Sequence, residues 1–116
     1  ISDYESLLGN PVIGAGWEGY VVENILSELS DMWRSSFYRT SAQLEADLVL
    51  EGPGKQVFAI EIKRSTAPTI SKGFHYACHE VKATHKVVIY PGNENFPLPN
   101  SVEAMSLKSF LKILPR

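Results

Sequence analysis

The sequence predicts an α/β fold in which one mixed central sheet is flanked by helices. Three observations predict it. A helical period runs through residues 15–30. Three β-rich runs follow at close spacing, the last two joined by a Gly/Pro turn. A second helical stretch and a further β-rich run then complete an α-β-β-β-α-β order, before a small β-α tail. Mixed order of this kind builds layers around one sheet.

Residues 1–14 read as a lead-in with turn signals at Gly9-Asn10-Pro11 and Gly14. On the helix of 15–30, Val22, Ile25 and Leu29 fall on one stripe at 100° per residue, with Glu18 at its centre and Glu23 opposite. Residues 36–40, 45–51 and 56–63 read as strands, and Gly52-Pro53-Gly54 turns the last two into a hairpin. A loop holding Pro68 leads to Ser71, a predicted cap for a helix over 72–83 with Phe74, Ala77, Cys78 and Val81 as its apolar stripe. Residues 86–90 read as a strand, 93–101 as a Pro-containing loop, 102–105 as a brief strand and 106–114 as a last helix.

The chain has 116 residues, enough for one compact domain spanning 1–116. Its 44% hydrophobic and 21% charged composition is that of a soluble globular protein. No apolar run approaches the roughly 20 residues of a membrane span. The start, Ile1-Ser2-Asp3-Tyr4, shows no targeting peptide and suggests a chain cut from something longer. Cys78 is the only cysteine, which fits a reducing, cytoplasmic setting. With 11 basic and 13 acidic residues the net charge is −2, which argues against an autonomous strong nucleic-acid binder. It does not argue against a nuclease module delivered by another domain.

The chemistry concentrates at Asp47, Glu61 and Lys63. Side chains alternate along a strand, so Glu61 and Lys63 share a face with Val57 and Ala59, and Phe58, Ile60 and Ile62 take the other. Asp47 shares a face with Glu45 and Val49, against Ala46, Leu48 and Leu50. A five-residue loop over 52–56 would set Asp47 directly opposite Glu61. Two carboxylates about 4.5–5.5 Å apart repel unless a cation lies between them, and Mg²⁺ or Mn²⁺ suits such oxygen ligands. A Glu in the middle of an apolar helix face needs a partner, so Glu18 is the expected further member.

Asp47, thirteen residues, then Glu61-Ile62-Lys63, after a helix bearing Glu18, resembles the core of PD-(D/E)xK (restriction-endonuclease-like) nucleases. The Pro of that motif is absent, Ala46 standing in its place. The resemblance covers about 15–91 and implies Glu18, Asp47, Glu61 and Lys63 as catalytic residues. It implies Glu18, Asp47, Glu61 and the Ile62 carbonyl as metal ligands.

Over nearly its whole length the chain also resembles the C-terminal domain of a large family of prokaryotic ATPases, a domain formally of unknown function behind an AAA-type module. That resemblance rests on Pro11 to Tyr20, Phe37-Tyr38-Arg39-Thr40, Glu45 to Glu51, Ala59 to Ser65, Lys72-Gly73-Phe74 and Val88 to Gly92. It implies an ATPase module on the same polypeptide, and ATP only there, since no Gly-x4-Gly-Lys-Ser/Thr loop occurs in this chain.

Other features have plainer readings. Arg39 could reach a phosphate or pair with Glu45 or Glu51. Ser65 sits at a strand end. Lys72 and His75 are on or near a helix that could touch nucleic acid. His75, Cys78 and His79 have helical spacing for zinc, but only His85 remains as a fourth ligand, and a thiol on an apolar stripe serves as a small hydrophobe. Three functions remain in contention: a metal-dependent phosphodiesterase acting on DNA or other nucleic acid, a silent interaction or regulatory domain serving an attached ATPase, and a metal-free nucleic-acid binder.

Overall fold

The computed structural model describes residues 13–39 and 45–114. Within them α1 (Ile13–Glu28) precedes β1 (Arg34–Arg39), β2 (Glu45–Glu51) and β3 (Val57–Ile62). Next come α2 (Lys72–Glu80) and β4 (His85–Ile89), then β5 (Phe96–Leu98), β6 (Val102–Met105) and α3 (Leu107–Ile113). The strands form one six-stranded sheet in the order β1-β2-β3-β4-β6-β5. It is mixed: β1–β2, β2–β3 and β5–β6 are antiparallel, while β3–β4 and β4–β6 are parallel. The α-β-β-β-α-β order with a β-α tail and a mixed central sheet is therefore present. Among the described residues no helix is long and apolar enough to cross a membrane.

Side-chain alternation splits the core into two layers. On one face Leu48, Leu50, Phe58, Ile60, Ile62, Val87 and Ile89 pack under Val21 and Ile25 of α1 and Phe110 of α3. Phe58 anchors this layer, with Trp33 and Phe110 edge-on at 5.7 and 5.9 Å. On the other face Val49, Ala59, Val88 and Val102 pack under Phe74, Ala77 and Cys78 of α2. Full burial of a side chain such as Phe74 or Ile60 is worth roughly 1.5–3 kcal/mol. The predicted Ser71 cap forms, accepting from the Phe74 N–H at 3.1 Å, and Ser106 caps the last helix in the same way, accepting from the Ser109 N–H at 3.1 Å.

The stripe of α1 also takes in Val21, fully buried like Ile25, with Val22 and Leu29 packed against them. Two expectations need correction. The segment 93–101 is not only loop, because β5 pairs with β6 as an edge strand. Pro97 is tolerated there, since an edge strand has a side with no ladder to supply. Finally, Ala46 does not join Leu48 and Leu50 but packs with Val49 on the α2 face. Its cause is a β-bulge. Ser36 pairs with Val49 but Tyr38 pairs with Ala46, so Asp47 and Leu48 together face one residue of β1 and the alternation flips.

Candidate functional site

Asp47 occupies that bulge. The β2–β3 register runs Glu51↔Val57, Leu50↔Phe58, Val49↔Ala59 and Leu48↔Ile60, around the predicted loop of 52–56. One further step along it would set Asp47 across from Glu61, but the backbone ladder stops at Leu48↔Ile60. The Ile62 N–H, left without a carbonyl partner on β2, instead donates to the Asp47 carboxylate at 2.8 Å. A backbone N–H and C=O of one residue point to the same side of a strand, so the Ile62 carbonyl also faces this gap.

Glu61 projects to the α2 face. It is 7% exposed, the one charged residue counted as buried among those described. Its Oε2 takes the Lys63 ammonium at 3.1 Å, as two-residue spacing on a strand allows. The Ser71 hydroxyl, while capping α2, also donates to Oε2 at 3.4 Å. Oε1 is buried without a hydrogen-bond partner. Burial pushes the Glu61 carboxyl above the usual carboxylate range. The Lys63 charge and hydrogen bond pull it down, Asp47 pushes it up again and Ser71 pulls it down, leaving a net rise. A buried carboxylate oxygen without a donor is expensive, and a cation is the simplest remedy.

The structure thus gathers Asp47, Glu61, Lys63 and the Ile62 backbone at the end of β3. It does not bring Glu18 to them. α1 packs on the Phe58–Ile60–Ile62 face, whereas Glu61 points to the α2 face. Glu18 instead lines a cavity with Gly19, Val22 and Phe37. No group of three or more His, Cys, Asp or Glu able to hold a metal ion occurs among the described residues, so a three-carboxylate site built with Glu18 is not present there. Two oxygen-bearing side chains and a backbone carbonyl are a hard donor set that fits Mg²⁺ or Mn²⁺.

Two residues complete the site that strand and helix periodicity alone did not assign to it. Trp17, one turn before Val21, donates its indole N–H to the Lys63 carbonyl at 2.9 Å and fastens α1 to the end of β3. Ser71 was legible as a cap, but its second bond to Glu61 depends on where α2 sits. The remaining candidates lie elsewhere. Ser65 accepts from the Ala67 N–H at 3.0 Å in an exposed turn. Glu51 stands 4.0 Å from Arg34 in an exposed pair. The side chains of Arg39 and Glu45, and Thr40, lie outside the described residues. Cys78 is a free, buried thiol that burial pushes up to about 11, which suits a small hydrophobe and not a metal-bound thiolate.

Residues 13–110 match a family described only as a domain of unknown function, DUF4143. Two uncharacterized proteins, from Mycobacterium tuberculosis and Mycobacterium bovis, are each 33% identical to the chain over 111 residues. The match takes in 96% of this chain but 25% of each relative, so the chain spans about a quarter of their length. No solved structure matches it.

Proposed function

The chain belongs to the DUF4143 family, and we propose that it is the nuclease-like module of a longer prokaryotic protein, a metal-dependent phosphodiesterase acting on nucleic acid. The observation that carries this reading is the buried Glu61 carboxylate with its unpartnered Oε1, held beside Asp47 and Lys63. Asp47, Glu61 and the Ile62 carbonyl would hold Mg²⁺ or Mn²⁺. When bound, such an ion lowers the pKa of a coordinated water and offsets charge on a phosphate. Hydrolysis adds water across one P–O bond and leaves a phosphate monoester and a free hydroxyl.

The protein's own part is positional. Lys63, 31% exposed at its side chain, keeps an ammonium where it can orient the attacking water and neutralise charge growing on the scissile phosphate. Glu61 holds that ammonium in place, and Ser71 and Trp17 hold Glu61 and the Lys63 backbone in turn. The length of the relatives supports delivery of the module by a larger polypeptide, and we assign that part to an AAA-type ATPase acting in the cytoplasm.

A second reading is favoured by one observation, the absence of a basic excess in a chain of net charge −2. In it the module is a catalytically silent interaction or regulatory domain serving the attached ATPase. The deciding experiment is Mg²⁺- or Mn²⁺-dependent cutting of DNA by the full-length protein and by Asp47→Ala and Lys63→Ala. Loss of cutting in both variants is expected. Cutting retained by both would overturn the phosphodiesterase reading. A wild-type protein that neither cuts nor binds divalent ions at millimolar concentration, yet holds a protein partner or the ATPase module in a pull-down, would establish the silent one.

A further inference from the structure

A second cluster lies farther along the same face of α2. His75, Cys78, His79, Lys82, Ala83 and Lys86 line a cavity of about 330 Å³, so its lining residues include two histidines and two lysines but no Asp or Glu. In a chain of net charge −2 this is a local reversal of sign.

The cluster is held in place. Lys86 donates to the Asn100 carbonyl at 3.3 Å, and the Asn100 side-chain amide meets His75 Nε2 at 3.3 Å. Asn100 has φ 64° and Lys82 has φ 57°, left-handed conformations that glycine adopts more easily. The C-terminal end of α2 favours a cation such as Lys82. It gives no reason for two imidazoles, or for a second lysine from β4, to meet there.

We propose that this cavity seats a backbone phosphate of a nucleic-acid strand whose neighbouring phosphates lead to Glu61 and Lys63. The inference rests on the phosphodiesterase reading for the second half of that statement only. Ser71, His75 and His79 follow one another at four-residue spacing along one flank of α2, and Ser71 touches Glu61. Eight residues of helix rise about 12 Å, the length of about three to four phosphates of a B-form strand. α2 is then a track between a phosphate anchor and a cutting site. Ammonium and imidazole donors suit a phosphodiester, which offers charge and acceptors but no carboxylate geometry to select arginine.

The test uses a short labelled DNA, single-stranded and duplex, with EDTA present so that no metal contributes. Fluorescence anisotropy is followed across a salt series for wild type, Lys82→Gln, Lys86→Gln and the double variant. Both lysines are at least partly exposed, and circular dichroism checks that the variants fold. Each substitution should weaken binding uniformly across DNA sequences and lower the slope of log affinity against log salt by about 1, the double variant by about 2. Unchanged affinity and slope in the double variant, or no DNA binding by wild type at low salt, would overturn the proposal. Wild-type binding restricted to inorganic phosphate would overturn the nucleic-acid assignment. If the double variant loses binding while wild type never cuts, the anchor stands and the phosphodiesterase reading falls. If the double variant binds normally while Asp47→Ala abolishes cutting, the reverse holds.

Discussion

Replacing Asp47 separates the bond by which one of its oxygens closes the sheet from the proposed role of its charge in holding a metal ion. In Asp47→Ala the part-buried Ile62 N–H loses a charge-assisted acceptor at 2.8 Å. A hydrogen bond to a charged group contributes about 1.5–3 kcal/mol. Relief of repulsion with Glu61 acts the other way, so the expected net loss is about 1–2 kcal/mol. For a domain of about 100 residues that lowers Tm by roughly 5–15 °C. Asp47→Asn keeps a carbonyl oxygen for the same N–H and should lose less than about 1 kcal/mol. Urea and thermal melts measure both variants in EDTA, then with millimolar Mn²⁺. Wild type should gain stability with Mn²⁺ by mass action, and Asp47→Asn should gain little or none. Asp47→Ala as stable as wild type would refute the closing role. An equal Mn²⁺ gain in Asp47→Asn would refute the ligand role.

Three further outcomes follow. Trp17→Phe keeps an aromatic ring but removes the donor to Lys63, and should cost about 0.5–1.5 kcal/mol in a urea melt and weaken Mn²⁺ binding. Gly52→Ala would set a Cβ 2.6 Å from the buried Trp33 ring, so a loss of about 1–3 kcal/mol is expected, read as a lower denaturation midpoint at unchanged m-value. Glu61 has a folded pKa above its unfolded one, so the native state holds its proton more tightly. Its contribution is favourable below the ordinary glutamate range and is lost as pH rises through the folded value. Glu61→Gln should therefore gain stability over wild type as pH climbs through that window. Melts at a series of pH values in EDTA read the difference, and a gap that widens toward acid would show the sign to be wrong.

Much of this was legible because periodicity reports what each face must do. The β2–β3 register followed from the need to align two apolar rows across a five-residue loop, and it placed Asp47 next to Glu61. Ser71 announced the start of α2 by capping chemistry. The errors have physical causes too. The stripe read on α1 left out Val21, which the structure buries fully beside Ile25. The bulge at Asp47–Leu48 inserts a residue relative to β1, a property of the strand pair invisible in β2 alone. β5 is three residues with a proline, too short to show alternation before β6 provides a partner. The unpartnered Glu61 oxygen could not be read from spacing, since it depends on α2 covering that face.

Three consecutive residues at the end of β3 tie together four elements. Glu61 is bonded to the cap of α2, the Ile62 N–H to β2, the Lys63 N–H to Ile89 at 2.9 Å and the Lys63 carbonyl to Trp17 of α1. Strand ends ordinarily fray, and their amides exchange with solvent through small local openings. Here such an opening must break bonds to several elements at once. The amides of Ile62 and Lys63 should exchange only through large-scale unfolding, at the slow rate of the sheet's centre. On the phosphodiesterase reading, the substrate would then meet its site already rigid, and motion during turnover would belong to the strand being bound.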